Sequence, residues 1–293
     1  MLLIMILLWL GPFFSPTLDL GPDLEEWSRP LQNWCAAQII PNAHHELTRA
    51  MVCGIDPTHS EQMPFLHSGL YHLLVVSGAH LAFFAAWLKP LRHQRFGNLM
   101  IFLLLGLYTL TCGAQPPVFR ALLQWLCMER RQSLGVHSHI FLLTWLSGIL
   151  CLSLVPSWIH SLSFWLSWLA ALACQLAMHL RLSAGPAALL IHGLMLPGLL
   201  SLGAAHPVSV LNNWLFAPLL SSFLFPLCLL TCLFSPLAWV SDFIWSLLIQ
   251  VLSPLNQLIE TTPIESGRGA FIAYVVIVQI VLWQGWIWWQ RKF

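Results

Sequence analysis

The sequence predicts an all-α, polytopic helical membrane protein with about 8–10 membrane segments, some interrupted or re-entrant. Three observations lead there. Of the 293 residues, 58% are hydrophobic and 8% charged, whereas soluble domains carry about 25% charged residues. Mean hydropathy is +0.76, in continuous apolar runs and not in the alternating pattern of an outer-membrane barrel. Several of those runs hold Gly, Pro, His or Asn in their middle, which lipid alone does not favour. A net charge of +1 excludes a broad basic face, so any site for phosphate or nucleic acid is local.

Taken in order, the chain divides into an N-terminal membrane helix at 1–18, a periplasmic polar segment with an amphipathic helix at 19–64, and a membrane domain at 65–293. Residues 1–14 are apolar and stop at Pro16, with neither a basic leader region nor a small-x-small cleavage site, which predicts a retained helix. Residues 17–63 hold seven of the eleven acidic residues. There Trp27 and Trp34, seven apart, share a helix face and suit an interfacial helix. A solvated loop with two buried aromatics is the alternative.

The stretch 65–88 is a span closed by Lys89, Arg92, His93 and Arg95. The span 99–112 runs into Gly113-Ala114-Gln115-Pro116-Pro117, where two prolines end a helix. A new helix then starts at Val118 with Arg120 in its first turn and ends at Glu129-Arg130-Arg131. Spans 139–155 and 157–180 form a hairpin about Pro156, and 187–204 is the next. Span 211–234 is interrupted at Asn212-Asn213, Pro218 and Pro226, and 237–252 follows. A polar loop at 253–269 precedes the last span, 270–289, whose Trp286, Trp288 and Trp289 form an interfacial belt before Arg291 and Lys292.

Charge orients the chain. With a cytoplasmic N-terminus and alternating spans, the inside receives Lys89, Arg92, Arg95, Arg130, Arg131, Arg181, Arg291 and Lys292, eight of the twelve basic residues. The outside takes nine of the eleven acidic residues. The positive-inside rule therefore predicts a bacterial inner-membrane protein with both termini cytoplasmic. Six of the eight cysteines lie in or beside apolar runs, where Cys is a small hydrophobe. Cys35 and Cys53 sit in the polar segment and pair only if that segment is periplasmic.

Four groups of polar residues fall at membrane depth. His72, Ser77, Gly78 and His80 form the first, and Gln115, Pro116, Pro117 and Arg120 the second. His206, Ser209, Asn212 and Asn213 with Pro218 form the third, and Asp242 stands alone. An arginine at the centre of a span costs about 2.5–3.5 kcal/mol on insertion scales. Arg120 is thus either a forked donor lining a wet path, matched to phosphate oxygens, or a residue that snorkels to the interface or pairs structurally, with Asp242 as the candidate. His72 and His80 are either packing residues or path residues. No H-E-x-x-H occurs and no carboxylate lies four residues beyond either histidine, so no metal site is predicted. Ser77 with His80 as base is conceivable as a nucleophile pair, without any G-x-S-x-G elbow around it. Three broken segments, at Gly78, Pro116–Pro117 and Asn213–Pro218, suggest a polar pathway.

Cys53-Gly54-Ile55-Asp56, followed by His67-Ser68-Gly69-Leu70-Tyr71-His72-Leu73-Leu74-Val75-Val76-Ser77-Gly78-Ala79-His80-Leu81, resembles the signature of the ComEC competence family, with Ala79 where Leu is usual. Tyr108 with Gly113-Ala114-Gln115-Pro116-Pro117-Val118-Phe119-Arg120-Ala121 is similar to the family's second motif, with Pro117 where Ser is usual. Weaker likenesses follow at His160 to Ser167, and at Pro207 to Pro218. The likeness is to the family's membrane core. The polar segment is too short for an OB-like barrel, and no H-x-H-x-D-H cluster marks a metallo-β-lactamase-like domain.

The resemblance implies a non-enzymatic inner-membrane channel for import of single-stranded DNA during natural transformation, needing no cofactor. It implies a path lined by His72, Ser77, Gly78, His80, Gln115, Pro117, Arg120, Asn213 and Pro218. Expected partners are single-stranded DNA, a periplasmic DNA receptor, a cytosolic helicase or ATPase, a separate nuclease, membrane lipids and a second copy of the chain. The alternatives are an intramembrane hydrolase using Ser77 with His80, and a small-anion transporter on the same scaffold.

Overall fold

The computed structural model describes residues 19–133, 140–201 and 207–257, with 274, 277, 278 and 281. The expected N-terminal helix, His206, the 258–269 part of the polar loop and the tryptophan belt of the last span lie outside the described residues. What is described is helical, with no strand among the described residues.

Residues 19–64, expected as a polar segment, form with the next three a layer of three helices: α1 (Gly21–Gln38), α2 (His45–Cys53) and α3 (His59–His67). On α1, Leu24, Ser28 and Cys35 are buried while Trp27 and Trp34 are about 60% exposed, so the two tryptophans share an outward face. The tryptophans thus stand on a helix and face outward, and are not buried aromatics of a loop. Cys35 and Cys53 form a disulfide with Cα atoms 5.9 Å apart, tying α1 to α2. Gly54, left-handed at φ 67°, ends α2. Beyond it the Thr58 amide donates to Glu46 Oε2 at 2.8 Å, and the Thr58 contacts hold the Glu46 carboxyl below its ordinary value.

The stretch read as one span breaks where its polar residues lie. After α3 come a turn with Gly69 at φ 74°, the short α4 (Tyr71–Leu74), extended Val75–Ser77 backbone, and α5 (Gly78–Leu88). A 3₁₀ turn, Lys89–His93, leads to α6 (Gly97–Thr111) and α7 (Pro116–Ser133). Arg92 pairs with Glu129, fixing the end of α5 to the end of α7. Pro116 and Pro117 open α7, where a missing N–H breaks no helical bond. Next are α8 (Ile140–Leu154), a 3₁₀ turn at Pro156–His160, α9 (Leu162–His179) and α10 (Ala184–Ser201). Pro156 is thus the hairpin turn the sequence predicts. The span holding Asn213 and Pro218 becomes α11 (Pro207–Leu219), a π turn (Leu220–Leu224) and α12 (Phe225–Thr231). The last described helix is α13 (Ala238–Gln257).

Four described helical segments are long and apolar enough to cross a membrane: Tyr71–His93 with its break at 75–77, Leu162–His179, Ser209–Thr231 and Ser235–Pro254. Gly97–Thr111, Ile140–Leu154 and Ala184–Leu196 are shorter and apolar.

Two large buried clusters, with a small third at Leu24, Ala114 and Val155, hold the described helices together. In one, Trp165 and Trp168 stack at 5.7 Å against α8, and Gly148 leaves the space Trp168 fills. The other joins the N-terminal layer to α5, α6, α12 and α13 through Leu47, Met51, Phe65, Leu81, Phe225 and Trp245, all fully buried. Lipid tails are as apolar as leucine, so cohesion here rests on close packing and interhelical hydrogen bonds. Trp245 Nε1 donates to Thr48 Oγ1 at 3.1 Å, and Asn42 Nδ2 to the Ala238 carbonyl at 3.2 Å. The N-terminal layer thus lies beside the first half of α13. Strict alternation of sides would set that layer and the start of α13 across the bilayer from each other, so an alternation counted by whole spans does not describe this neighbourhood.

Candidate functional site

The break before α5 is built by its own residues. Ser77 is extended (φ −120°, ψ 166°) and precedes the first turn, and its amide donates to His80 Nδ1 at 3.1 Å. A nitrogen that accepts leaves the ring proton on Nε2. That Nε2 is buried without a partner, as is Ser77 Oγ. His80 itself is fully buried and stacks on Phe225 at 4.4 Å with 19° between the planes. The ring nitrogen that faces Ser77 therefore receives an amide proton, so the Ser77–His80 nucleophile pair is not assembled.

Arg120 stands one turn inside α7 and is 3% exposed. Its Nε donates to Ser167 Oγ at 3.1 Å and its Nη1 to Gln124 Oε1 at 2.7 Å, while Gln124 Nε2 donates to Thr144 Oγ1 at 2.8 Å. Among the described residues no carboxylate pairs with it. Asp242, the structural partner considered from sequence, instead accepts from the His44 amide at 2.8 Å. A Cβ built on Gly78 would lie 3.2 Å from Arg120 Nη2, 3.2 Å from Ala121 Cβ and 3.5 Å from the Pro117 carbonyl. The first two breaks therefore touch.

No break falls at Asn213 or Pro218: α11 runs unbroken through Asn212, Asn213 and Pro218, and its asparagines reach the same segment from the other side. Asn212 Nδ2 donates to the Ser68 carbonyl at 3.1 Å. Asn213 Nδ2 donates to the carbonyls of Gly69, at 3.2 Å, and Ser209, at 2.7 Å. Ser209 Oγ lies 3.4 Å from His192 Nε2, and His72 stands in the short α4 that follows Gly69. Pro218 is exposed near the end of α11, two residues before the helix widens into the π turn, a form frequent at functional sites.

Gln115 is occupied elsewhere. Its Nε2 donates to the Gly54 carbonyl at 2.5 Å, and Gln32 Nε2 reaches the same carbonyl at 3.3 Å and that of Cys53 at 3.1 Å. Gly54 has no room for a side chain, since its Cβ would stand 2.6 Å from the Cys112 carbonyl. The disulfide-tied layer is thereby fastened to the turn that leads into Arg120.

Sequence reasoning missed three groups of the Arg120 cage and one of the Asn213 cluster. Gln124 is four residues from Arg120 on one helix, a spacing legible in sequence. His192, a lone histidine in an apolar run, was equally legible. Ser167 and Thr144 come from α9 and α8, and nothing local announces them.

A family model described as "Competence protein" matches residues 54–292. No curated protein and no solved structure matches the chain. The match begins at Gly54, the residue that fastens the N-terminal layer to the α6–α7 turn, and it takes in both breaks and the asparagines of α11. Apolar membrane-length helices with that match identify the chain as a membrane protein of the competence protein family, with a role in DNA uptake.

Proposed function

We propose that the protein is the conduit for single-stranded DNA across the bacterial inner membrane during natural transformation, with its N-terminus in the cytoplasm. The supporting observation is that two helix breaks and one unbroken polar helix converge on residues 68–80, with Gly78 against Arg120 at the breaks and Asn212 and Asn213 of α11 against Ser68 and Gly69. Polar backbone at membrane depth is tolerated where it lines a cavity or is buried in protein. The path residues are His72, Ser77, Gly78, His80, Pro117, Arg120, Asn213 and Pro218, with Gln115 holding the turn before Arg120.

A strand carried by few cations is held weakly and salt-sensitively, which suits a conduit that must release it. The sequence holds no GxxxxGK[ST] loop, so the drive comes from a cytosolic helicase or ATPase, with a periplasmic receptor delivering the strand and a separate nuclease preparing it. A deletion strain complemented with Arg120→Ala tests this. It should abolish transformation by a marked fragment while the protein stays in the membrane at normal level. Full uptake by that variant would remove the role given to Arg120, and normal transformation by the deletion strain would remove the conduit itself.

A further inference from the structure

We propose that Ser246, His44 and Glu61 form an activated serine that accepts acyl groups from carboxylic esters of membrane lipids. The three residues come from α13, from the residue preceding α2, and from α3. His44 Nε2 lies 3.0 Å from Ser246 Oγ, and His44 Nδ1 lies 3.3 Å from Glu61 Oε2. A carboxylate only accepts, so Glu61 keeps the proton on Nδ1 and leaves the Nε2 lone pair facing the serine hydroxyl. That is the tautomer a general base requires.

The ring is held from behind. The His44 amide donates to Asp242 Oδ1 at 2.8 Å, and Asn42 Nδ2 donates to the Ala238 carbonyl at 3.2 Å, one and two turns before Ser246 on the same helix. His44 is thus fixed to α13 by main-chain and side-chain bonds, the preorganisation that positions a base against its nucleophile. Unlike the buried His80, the relay is reachable, with the side chains of His44 and Glu61 17% and 24% exposed.

The substrate class follows from what flanks the serine. Trp239, Phe243 and Leu247, four residues apart along α13, are 71%, 63% and 50% exposed, and Ser246 adjoins this stripe. In a membrane protein such a stripe faces acyl chains, so an ester carbonyl reaches the serine from the lipid side. Ser246 Oγ bonds to that carbonyl carbon as its proton passes to His44 Nε2. The ester C–O bond breaks and the leaving alcohol takes the proton from His44. Water, losing a proton to His44, then releases the carboxylic acid and restores the serine. Glu61 is a positioning residue.

The test uses the full chain, purified in detergent, and a fluorescent fluorophosphonate. The expected result is one labelled serine, mapped by mass spectrometry of the wild-type adduct to the peptide holding Ser246. Label should be lost in Ser246→Ala, slowed about 100-fold in His44→Gln, and slowed in Glu61→Gln with partial rescue by Glu61→Asp at an unchanged melting temperature. Ser77→Ala should label as wild type does. Hydrolysis of a fluorogenic fatty-acid ester should follow the labelling in every variant. No adduct on folded wild-type protein, or an adduct mapping to another serine, overturns the proposal. DNA uptake plays no part in this readout, so its outcome is separate from that of the conduit.

Discussion

Arg120 Nη2 lies 3.2 Å from the point where a Cβ on Gly78 would stand. A buried guanidinium beside the first turn of a helix, whose macrodipole is positive there, is an arrangement that two other features relieve. Ser167 and Gln124 accept from it, and the absent side chain at 78 lets it sit close. Gly78→Val should therefore force α5 and α7 apart and destabilise the protein by about 1–3 kcal/mol. A melting curve in detergent measures the loss, and Gly106→Val, where nothing lies within 4 Å, is the control.

Arg120→Lys separates charge from geometry. Lysine keeps the cation but lacks the planar fork that bonds Ser167 and Gln124 at once. Transformation should fall by about tenfold or more, the loss that one charged hydrogen bond of about 1.5–3 kcal/mol implies. Uptake equal to wild type would show that charge alone suffices.

Asn212→Leu leaves the Ser68 carbonyl without the donor it has at 3.1 Å. An unsatisfied buried acceptor costs about 1–3 kcal/mol. The double variant Asn212→Leu with Asn213→Leu should lose more than either alone, and limited proteolysis should find the turn at 68–70 newly cleavable.

Reduction of Cys35–Cys53, whose partners are 18 residues apart, should cost about 3 kcal/mol by loop-closure entropy. The melting temperature in detergent should drop on adding dithiothreitol in the wild type and stay unchanged in Cys35→Ser with Cys53→Ser. Arrival of thiol-reactive label at both cysteines only after reduction checks the bond directly.

Glu46 provides the pH dependence. Its carboxyl is held below the ordinary value by the Thr58 contacts, so the stabilisation it gives is present above that value and is lost as pH falls through the lowered one. Stability of the N-terminal layer should decline on the acid side of the carboxylate range, and Glu46→Gln should flatten the decline. A decline that survives the substitution would place its origin in another carboxylate.

The parts legible in the sequence were those whose signal is local. Pro116–Pro117 opens α7, Pro156 turns the hairpin, and Ser77–Gly78 starts α5 because each residue acts on its own backbone. The hydrophobic seven-residue spacing of Trp27 and Trp34 marked one face of α1 in the same way. Residues 47–53 were misjudged. Their apolar run lies between acidic neighbours, so averaging made it part of a polar segment, yet Leu47, Met51 and Cys53 are fully buried. The His44 contacts to α13, near 200 residues away in sequence, had no local signal at all. Nor did the π turn, which runs up to the buried Phe225.

The Gly54 carbonyl receives an amide from α1 and another from the turn before α7. An acceptor shared between the first and the sixth segments imposes a schedule on biogenesis. Gln115 has no acceptor at Gly54 until the N-terminal layer has folded. A chain delivered to the membrane from its N-terminus makes that layer before residue 115, whereas a circular permutant that made it last would insert its helices with the Gln115 amide unbonded.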